Sequence, residues 1–185
     1  LEVEKLSMEI EKIIQAVLED GEITAKPDEI SLKYLGKGYG VREDERIKYS
    51  PIEALYLTEI GKMEISDGSG GKLSFQELLR RLRQKDPNIW RDYVVYRDLR
   101  KRRYVVKEGF GKELRFRVFE RGKYGKEPAK YLVVPIFEGR DVPIKKLEEW
   151  MAISRKMRKE LVIAVVDRRN EVIYYKASLV DLRNV

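Results

Sequence analysis

Leu161-Val162-Ile163-Ala164-Val165-Val166 is an unbroken run of six apolar residues. A run of that length and character is typical of a strand buried on both faces. Asp167-Arg168-Arg169-Asn170-Glu171 follows as a turn, and residues 172–179 read as the last strand. Before the run, Asp141-Val142-Pro143 leads into a helix over 144–159. Further back, strands are expected at 104–107, 114–120 and 131–137. The middle one alternates, with Leu114, Phe116 and Val118 on one side and Arg115, Arg117 and Phe119 on the other. These elements make a mixed sheet with helices packed on it.

A helix over 90–102 precedes the strands. Trp90, Val94, Val95 and Leu99 form its buried side, and Arg91, Arg97, Arg100, Lys101 and Arg102 its other face. The polar, Pro-containing stretch Gln84-Lys85-Asp86-Pro87-Asn88 is the expected boundary between a small N-terminal α/β domain, residues 1–86, and a C-terminal domain, 87–185. In the first domain a helix is expected to about Lys12. A hairpin follows, in which Glu19-Asp20-Gly21 joins the run from Ile13 to Leu18 to Glu22-Ile23-Thr24-Ala25. Asp28 caps a helix over 29–35. Ser50-Pro51-Ile52-Glu53 and Ser74-Phe75-Gln76-Glu77 are capping boxes that open two more helices. Gly36, Gly38 and Gly40 read as a turn. As a phosphate loop they lack a long apolar strand before them and a helix after them.

Composition narrows the chemistry. The 185 residues are 43% hydrophobic and 38% charged, which is globular and unusually charged. No stretch of about 18 apolar residues is present and no secretory leader is recognisable, so a cytoplasmic protein off the membrane is expected. There is no Cys and no His, which removes disulfides, thiol nucleophiles, thiolate zinc sites and imidazole acid–base catalysis. Neither a metal site nor a cofactor is expected. Lys plus Arg outnumber Asp plus Glu by 39 to 32, for a net charge of +7. That balance suits a polyanionic partner such as nucleic acid. High charge with no Cys and only three Gln and three Asn matches thermophile composition.

The basic residues of helix 90–102, followed by Arg115 and Arg117, form either a phosphate-tracking surface or a solvated helix face. Tyr93, Tyr96, Tyr104 and Tyr124 lie among them, placed to stack on unpaired bases or to pack. The RNA-contact candidates are Arg97, Arg100, Arg102, Arg117 and Lys159.

Several stretches in fixed order carry a resemblance. They are Tyr96-Arg97-Asp98-Leu99-Arg100-Lys101-Arg102-Arg103-Tyr104-Val105-Val106-Lys107-Glu108-Gly109, then Phe116-Arg117-Val118-Phe119-Glu120-Arg121-Gly122, then Lys130-Tyr131-Leu132-Val133. Arg158-Lys159-Glu160-Leu161, Ala164-Val165-Val166-Asp167 and Tyr174-Tyr175 complete the set, and Ser50-Pro51-Ile52-Glu53-Ala54-Leu55-Tyr56-Leu57 precedes it. The chain resembles the archaeal tRNA-splicing endonucleases over residues 40–180. The resemblance implies a restriction-endonuclease-like C-terminal domain. It also implies metal-independent intron removal from precursor tRNA at a bulge–helix–bulge, leaving a 2′,3′-cyclic phosphate and a 5′-hydroxyl. In that family a Tyr deprotonates the 2′-hydroxyl, a His protonates the leaving oxygen and a Lys stabilises the transition state.

Here Phe119 stands at the place of the Tyr and Pro128 at the place of the His, while Lys159 is retained. The resemblance therefore implies a chain inactive by itself: the structural subunit of a heterotetramer of two catalytic and two structural subunits. Its partner contacts would be the loop Asp167, Arg168, Arg169, Asn170 and Glu171, inserted into a basic pocket of the catalytic subunit, and the strand bearing Tyr174 and Tyr175. Two alternatives stand beside it. One is a self-sufficient nuclease in which Tyr124 or Glu127 replaces the lost base. The other is an RNA-binding module outside splicing.

Overall fold

A computed structural model describes residues 13–180. The helix expected to about Lys12 lies outside the described residues. The chain separates into two compact units, Leu1–Leu78 and Leu79–Val185. No described helix is long and apolar enough to cross a membrane.

In the first unit, β1 (Ile14–Glu19) and β2 (Glu22–Ala25) form the expected hairpin. Asp20 and Gly21 take φ values of 51° and 85°. Two successive positive φ angles are what a two-residue type I′ turn needs. Helix α1 (Glu29–Gly36) is capped by Asp28, which accepts the Ser31 amide at 2.7 Å while the Ser31 hydroxyl accepts the Asp28 amide at 2.8 Å. A second hairpin, β3 (Val41–Glu43) with β4 (Arg46–Tyr49), was not legible in the sequence. The three residues of β3 are all exposed, so they carry no alternating pattern. Gly40 belongs to this packing: a Cβ there would lie 2.7 Å from Ile47 Cγ2.

Helix α2 (Pro51–Glu59) opens on a capping box in which the amides of Ser50 and Glu53 each donate to the other's side chain. Its buried run Ile52–Leu57 leads to β5 (Met63–Asp67) and β6 (Lys72–Leu73), and α3 (Phe75–Lys85) follows. The sheet order is β3-β4-β2-β1-β5-β6, with β5 parallel to β1.

The second unit contains α4 (Ile89–Lys101), β7 (Val105–Phe110), β8 (Leu114–Phe119), β9 (Tyr131–Phe137), α5 (Ile144–Lys156), β10 (Glu160–Val166) and β11 (Val172–Ala177). The sheet order is β11-β10-β9-β8-β7. β9 and β10 are parallel across α5, and the other neighbours are antiparallel, so the sheet is mixed. Its two faces carry different helices. On one face, Leu132, Val134 and Leu161 pack with Trp150 and Met151 of α5. On the other, the Phe116 ring lies 6.0 Å from that of Tyr96 in α4.

Three expectations change here. β10 is not buried on both faces: Val162, Ile163 and Val165 are only half-buried. α5 covers Leu161 but leaves the far end of β10 and the edge strand β11 open, so Ile173 and Tyr175 are 51% and 53% exposed. The α5 helix also stops at Lys156 rather than Lys159. Arg158 adopts φ 54°, and the Lys159 amide closes back on the Ser154 carbonyl at 2.8 Å, which turns the chain into β10. β7 runs on to Phe110 past Gly109, where a Cβ would lie 1.8 Å from the Leu114 carbonyl oxygen.

Candidate functional site

Three segments meet at one end of the second sheet. The Lys130 amide donates to the Val118 carbonyl and the Glu160 amide to the Lys130 carbonyl, each at 2.9 Å. These bonds tie the end of β8, the entry to β9 and the entry to β10 into one rim. Phe119, Pro128 and Lys159 therefore belong to the same rim, although 40 positions of sequence separate the outer two. The Lys159 ammonium donates to the Ala129 carbonyl at 2.5 Å, beside Pro128. The Phe119 ring meets Tyr124 edge-on, with centroids 5.0 Å apart. Phe119 and Pro128 offer no proton to move, and Lys159 supplies one cation. Of the two substitutes for the base, Tyr124 packs on Phe119, while Glu127 is paired to Lys123 at 2.6 Å.

A polar cluster follows directly. Lys130 bonds Glu120 at 2.7 Å, and the Tyr131 hydroxyl donates to the same carboxylate at 3.4 Å. The Lys130 bond holds the Glu120 carboxyl below its ordinary range, and Glu120 in turn raises Lys130.

The basic helix is less open than its pattern suggests. Arg100 is a correction: it is only 8% exposed, and its Nε donates to the Tyr96 hydroxyl at 2.9 Å. Arg91 also turns inward, to Asp92 at 2.7 Å. Asp92, 2% exposed, is bracketed a second time by Arg115 Nε at 2.8 Å. Tyr93 and Tyr96 are core residues, which removes them from base stacking. Arg97 lies over the Tyr93 ring, and Arg102 over Tyr174. Arg117 donates to the Glu108 carbonyl and lies over Phe110.

The 167–171 loop is closed on itself. Asp167 Oδ1 accepts the amides of Arg169 and Glu171, both at 2.8 Å. The Glu171 amide, with that of Arg169, holds the Asp167 carboxyl below its ordinary value. Arg169 neutralises the loop further, 3.2 Å from Glu171 and 3.6 Å from Asp167. Asn170, at φ 61°, accepts the Trp90 indole N–H at 2.9 Å and anchors the loop to α4. Tyr174 and Tyr175 point opposite ways. Tyr174 donates to Asp98 on α4 at 2.8 Å, so it packs internally and only Tyr175 is offered outward.

The sequence carried no sign of the bonds made by Asp92 and by the Trp90 indole. The i,i+4 spacing of Asp98 and Arg102, which are 2.7 Å apart, was the one available signal.

Comparison with known proteins decides the family. Residues 14–79 match the tRNA intron endonuclease N-terminal domain, and residues 89–174 its catalytic C-terminal domain. A tRNA-splicing endonuclease of Thermococcus onnurineus is 36% identical over 151 residues, covering 82% of this chain and 86% of that protein.

The chain belongs to the tRNA intron endonuclease family.

Other members include the tRNA-splicing endonuclease of Methanococcus vannielii, 33% identical over 92% of this chain and 97% of that protein. That of Methanothermobacter thermautotrophicus is 32% identical over 88% and 95%. The mixed α/β architecture of both units agrees with the family's N-terminal and endonuclease-like C-terminal domains.

Proposed function

We propose that this chain is a structural, non-catalytic subunit of a tRNA-splicing endonuclease. It acts with a catalytic subunit on precursor tRNA in the cytoplasm, in an assembly of two chains of each kind. One observation carries the reading: the rim that joins residues 119, 128 and 159 holds Phe, Pro and Lys, in a chain with no His. General acid–base cleavage of RNA needs a group that takes the 2′-hydroxyl proton and one that gives a proton to the leaving oxygen. Lys159 alone does not fill both places. The partner supplies the complete triad, and this chain supplies surface.

Two surfaces support an assembly role. The compact 167–171 loop is rigidly shaped by Asp167 and Asn170 for insertion into a partner. The strand β11 exposes Ile173 and Tyr175 and, among the described residues, lies at the edge of the sheet with β10 as its neighbour, which suits strand-to-strand pairing.

The test is cleavage of a bulge–helix–bulge RNA without divalent metal, by the pure chain and by the chain mixed with a catalytic subunit. Cleavage by the mixture alone is the expected result. Cleavage by the pure chain would overturn the proposal. It would favour the second reading, in which Tyr124, lying against Phe119, supplies the missing phenol.

A further inference from the structure

The α4 face of the second sheet holds a cavity of about 230 Å³ that includes none of Phe119, Pro128, Lys159 or the 167–171 loop. Its floor is apolar, made by Leu99, Val118, Val133 and Val162. The sheet register sets Val118, Val133 and Val162 on one face, since Val133 pairs with Val162 and with Phe116, while Tyr131 pairs with Val118; Leu99 comes from α4. The walls are Tyr104, Tyr131 and Tyr174. Two of these rings are held by carboxylates: Tyr174 donates to Asp98 at 2.8 Å, and Tyr131 to Glu120 at 3.4 Å. The walls are thus set before any ligand arrives, which lowers the entropy lost on binding.

Arg102 and Arg121 also line the cavity, and they differ. Arg102 is paired to Asp98 at 2.7 Å. Arg121 lies 5.0 Å from the Tyr104 ring centroid, and among the described residues it pairs with no carboxylate. An uncompensated guanidinium beside an aromatic wall offers a phosphate contact next to a stacking surface. The volume falls below the roughly 300–1,000 Å³ of sites for drug-sized ligands. It suits one planar ring system with its phosphate at the mouth.

We propose that this cavity receives a single unpaired nucleobase of the RNA, with Arg121 on the adjoining phosphate. The proposal rests on the reading of the chain as an RNA-engaging subunit, and it names a subsite separate from the rim at Phe119, Pro128 and Lys159. Unpaired bases are favoured, because a paired base must first be unpaired and unstacked, at a cost in free energy, before it can enter.

The test uses the full chain and a short single-stranded RNA carrying one 2-aminopurine, with the same RNA in a duplex and free AMP as comparisons. The expected result is a fluorescence change on binding the single strand. Affinity should fall at least about fivefold in both Arg121→Gln and Val162→Phe, with duplex affinity unchanged. Arg121→Gln alters an exposed side chain, so it reports even if the cavity-filling variant folds poorly. Wild-type affinity of Arg121→Gln for the single strand would overturn the cavity assignment while leaving RNA engagement intact. AMP binding as tightly as the oligonucleotide would make this a free-nucleotide site and overturn the RNA assignment. No binding of either RNA would overturn the subsite, and the cleavage assay on mixed subunits would still judge the subunit reading by itself.

Discussion

Tyr174 on the edge strand β11 donates a 2.8 Å hydrogen bond to Asp98 Oδ2 on α4, and Arg102 bonds the same oxygen at 2.7 Å. One carboxylate thereby ties the last strand to the helix that covers the sheet. Burial, with the Asp98 bond second, pushes the Tyr174 phenol far above its ordinary value of 10.0. The neutral phenol is the form the fold prefers. Its contribution is complete below pH 10, the unfolded value, and is lost progressively as pH rises beyond it.

Tyr174→Phe should lower stability by about 1 kcal/mol at neutral pH, the usual net worth of one hydrogen bond. It should also flatten the alkaline loss. Urea denaturation at pH 8 and pH 11 checks both. Equal alkaline slopes in the two proteins would show that Tyr174 is not the group responsible.

Asp92 is nearly fully buried between Arg91 and Arg115. Asp92→Ala removes the carboxylate that both guanidinium groups share, leaving Arg115 only the longer contacts to Asp86 at 3.8 Å and Glu108 at 3.9 Å. A loss of about 3–5 kcal/mol is expected, because breaking a buried pair strands its partners. Chemical denaturation of the single and double variants in a mutant cycle with Arg115→Met measures the coupling; additive losses would exclude it.

Gly109 has no room for a side chain, with the Leu114 carbonyl oxygen 1.8 Å from where a Cβ would sit. Gly109→Ala must push β7 and β8 apart. A loss of about 2–4 kcal/mol is expected by thermal unfolding, in the range of overpacking and backbone strain. An unchanged Tm would mean that the two strands separate there without penalty.

Asp167 separates loop shape from loop charge. Asp167→Asn keeps an oxygen for the amides of Arg169 and Glu171, whereas Asp167→Ala keeps none. In the mixed-subunit cleavage assay, Asp167→Ala and Glu171→Ala should each lower activity, and Asp167→Asn should fall between Asp167→Ala and the wild type. Full activity of both alanine variants would remove the loop from the interface. The Asp167 carboxyl is held below its ordinary 3.8, so its support of the loop is present above that pH and fades as the solution is acidified through the lower folded value.

Lys159 bonds the Ala129 carbonyl rather than a second titratable group. Under the subunit reading, Lys159→Ala should leave cleavage by the mixed complex within about a factor of two. Removing the catalytic partner's own lysine should cost on the order of 10²–10³, as loss of a transition-state donor does. A comparable loss from Lys159→Ala would make this chain a participant in the chemistry.

Local chemistry was readable along the chain where a signal is complete within a few residues. Asp20-Gly21 specified its turn, and Asp28, Ser50 and Ser74 opened their helices. β9 occupies residues 131–137 as its apolar run indicated. Short strands without a buried alternation, such as β3, were not readable, nor was the side of a helix each arginine takes. Arg100 and Arg91 share the pattern of solvent-facing cations. Both turn inward because Tyr96 and Asp92 offer them bonds near the core.

The sequence by itself determined that the chain brings no imidazole and no thiol to any site, that phenylalanine, proline and lysine stand at 119, 128 and 159, and where most turns and caps fall. These are matters of composition and of contacts between near neighbours. Only the tertiary structure decided that Tyr174 faces inward while Tyr175 faces out, that the 167–171 acids are consumed within their own turn, and that Tyr104, Arg121 and Val162 share a cavity. The reason is separation along the chain. Asp98 and Tyr174 lie 76 positions apart, and their bond exists because sheet register and helix packing bring them together.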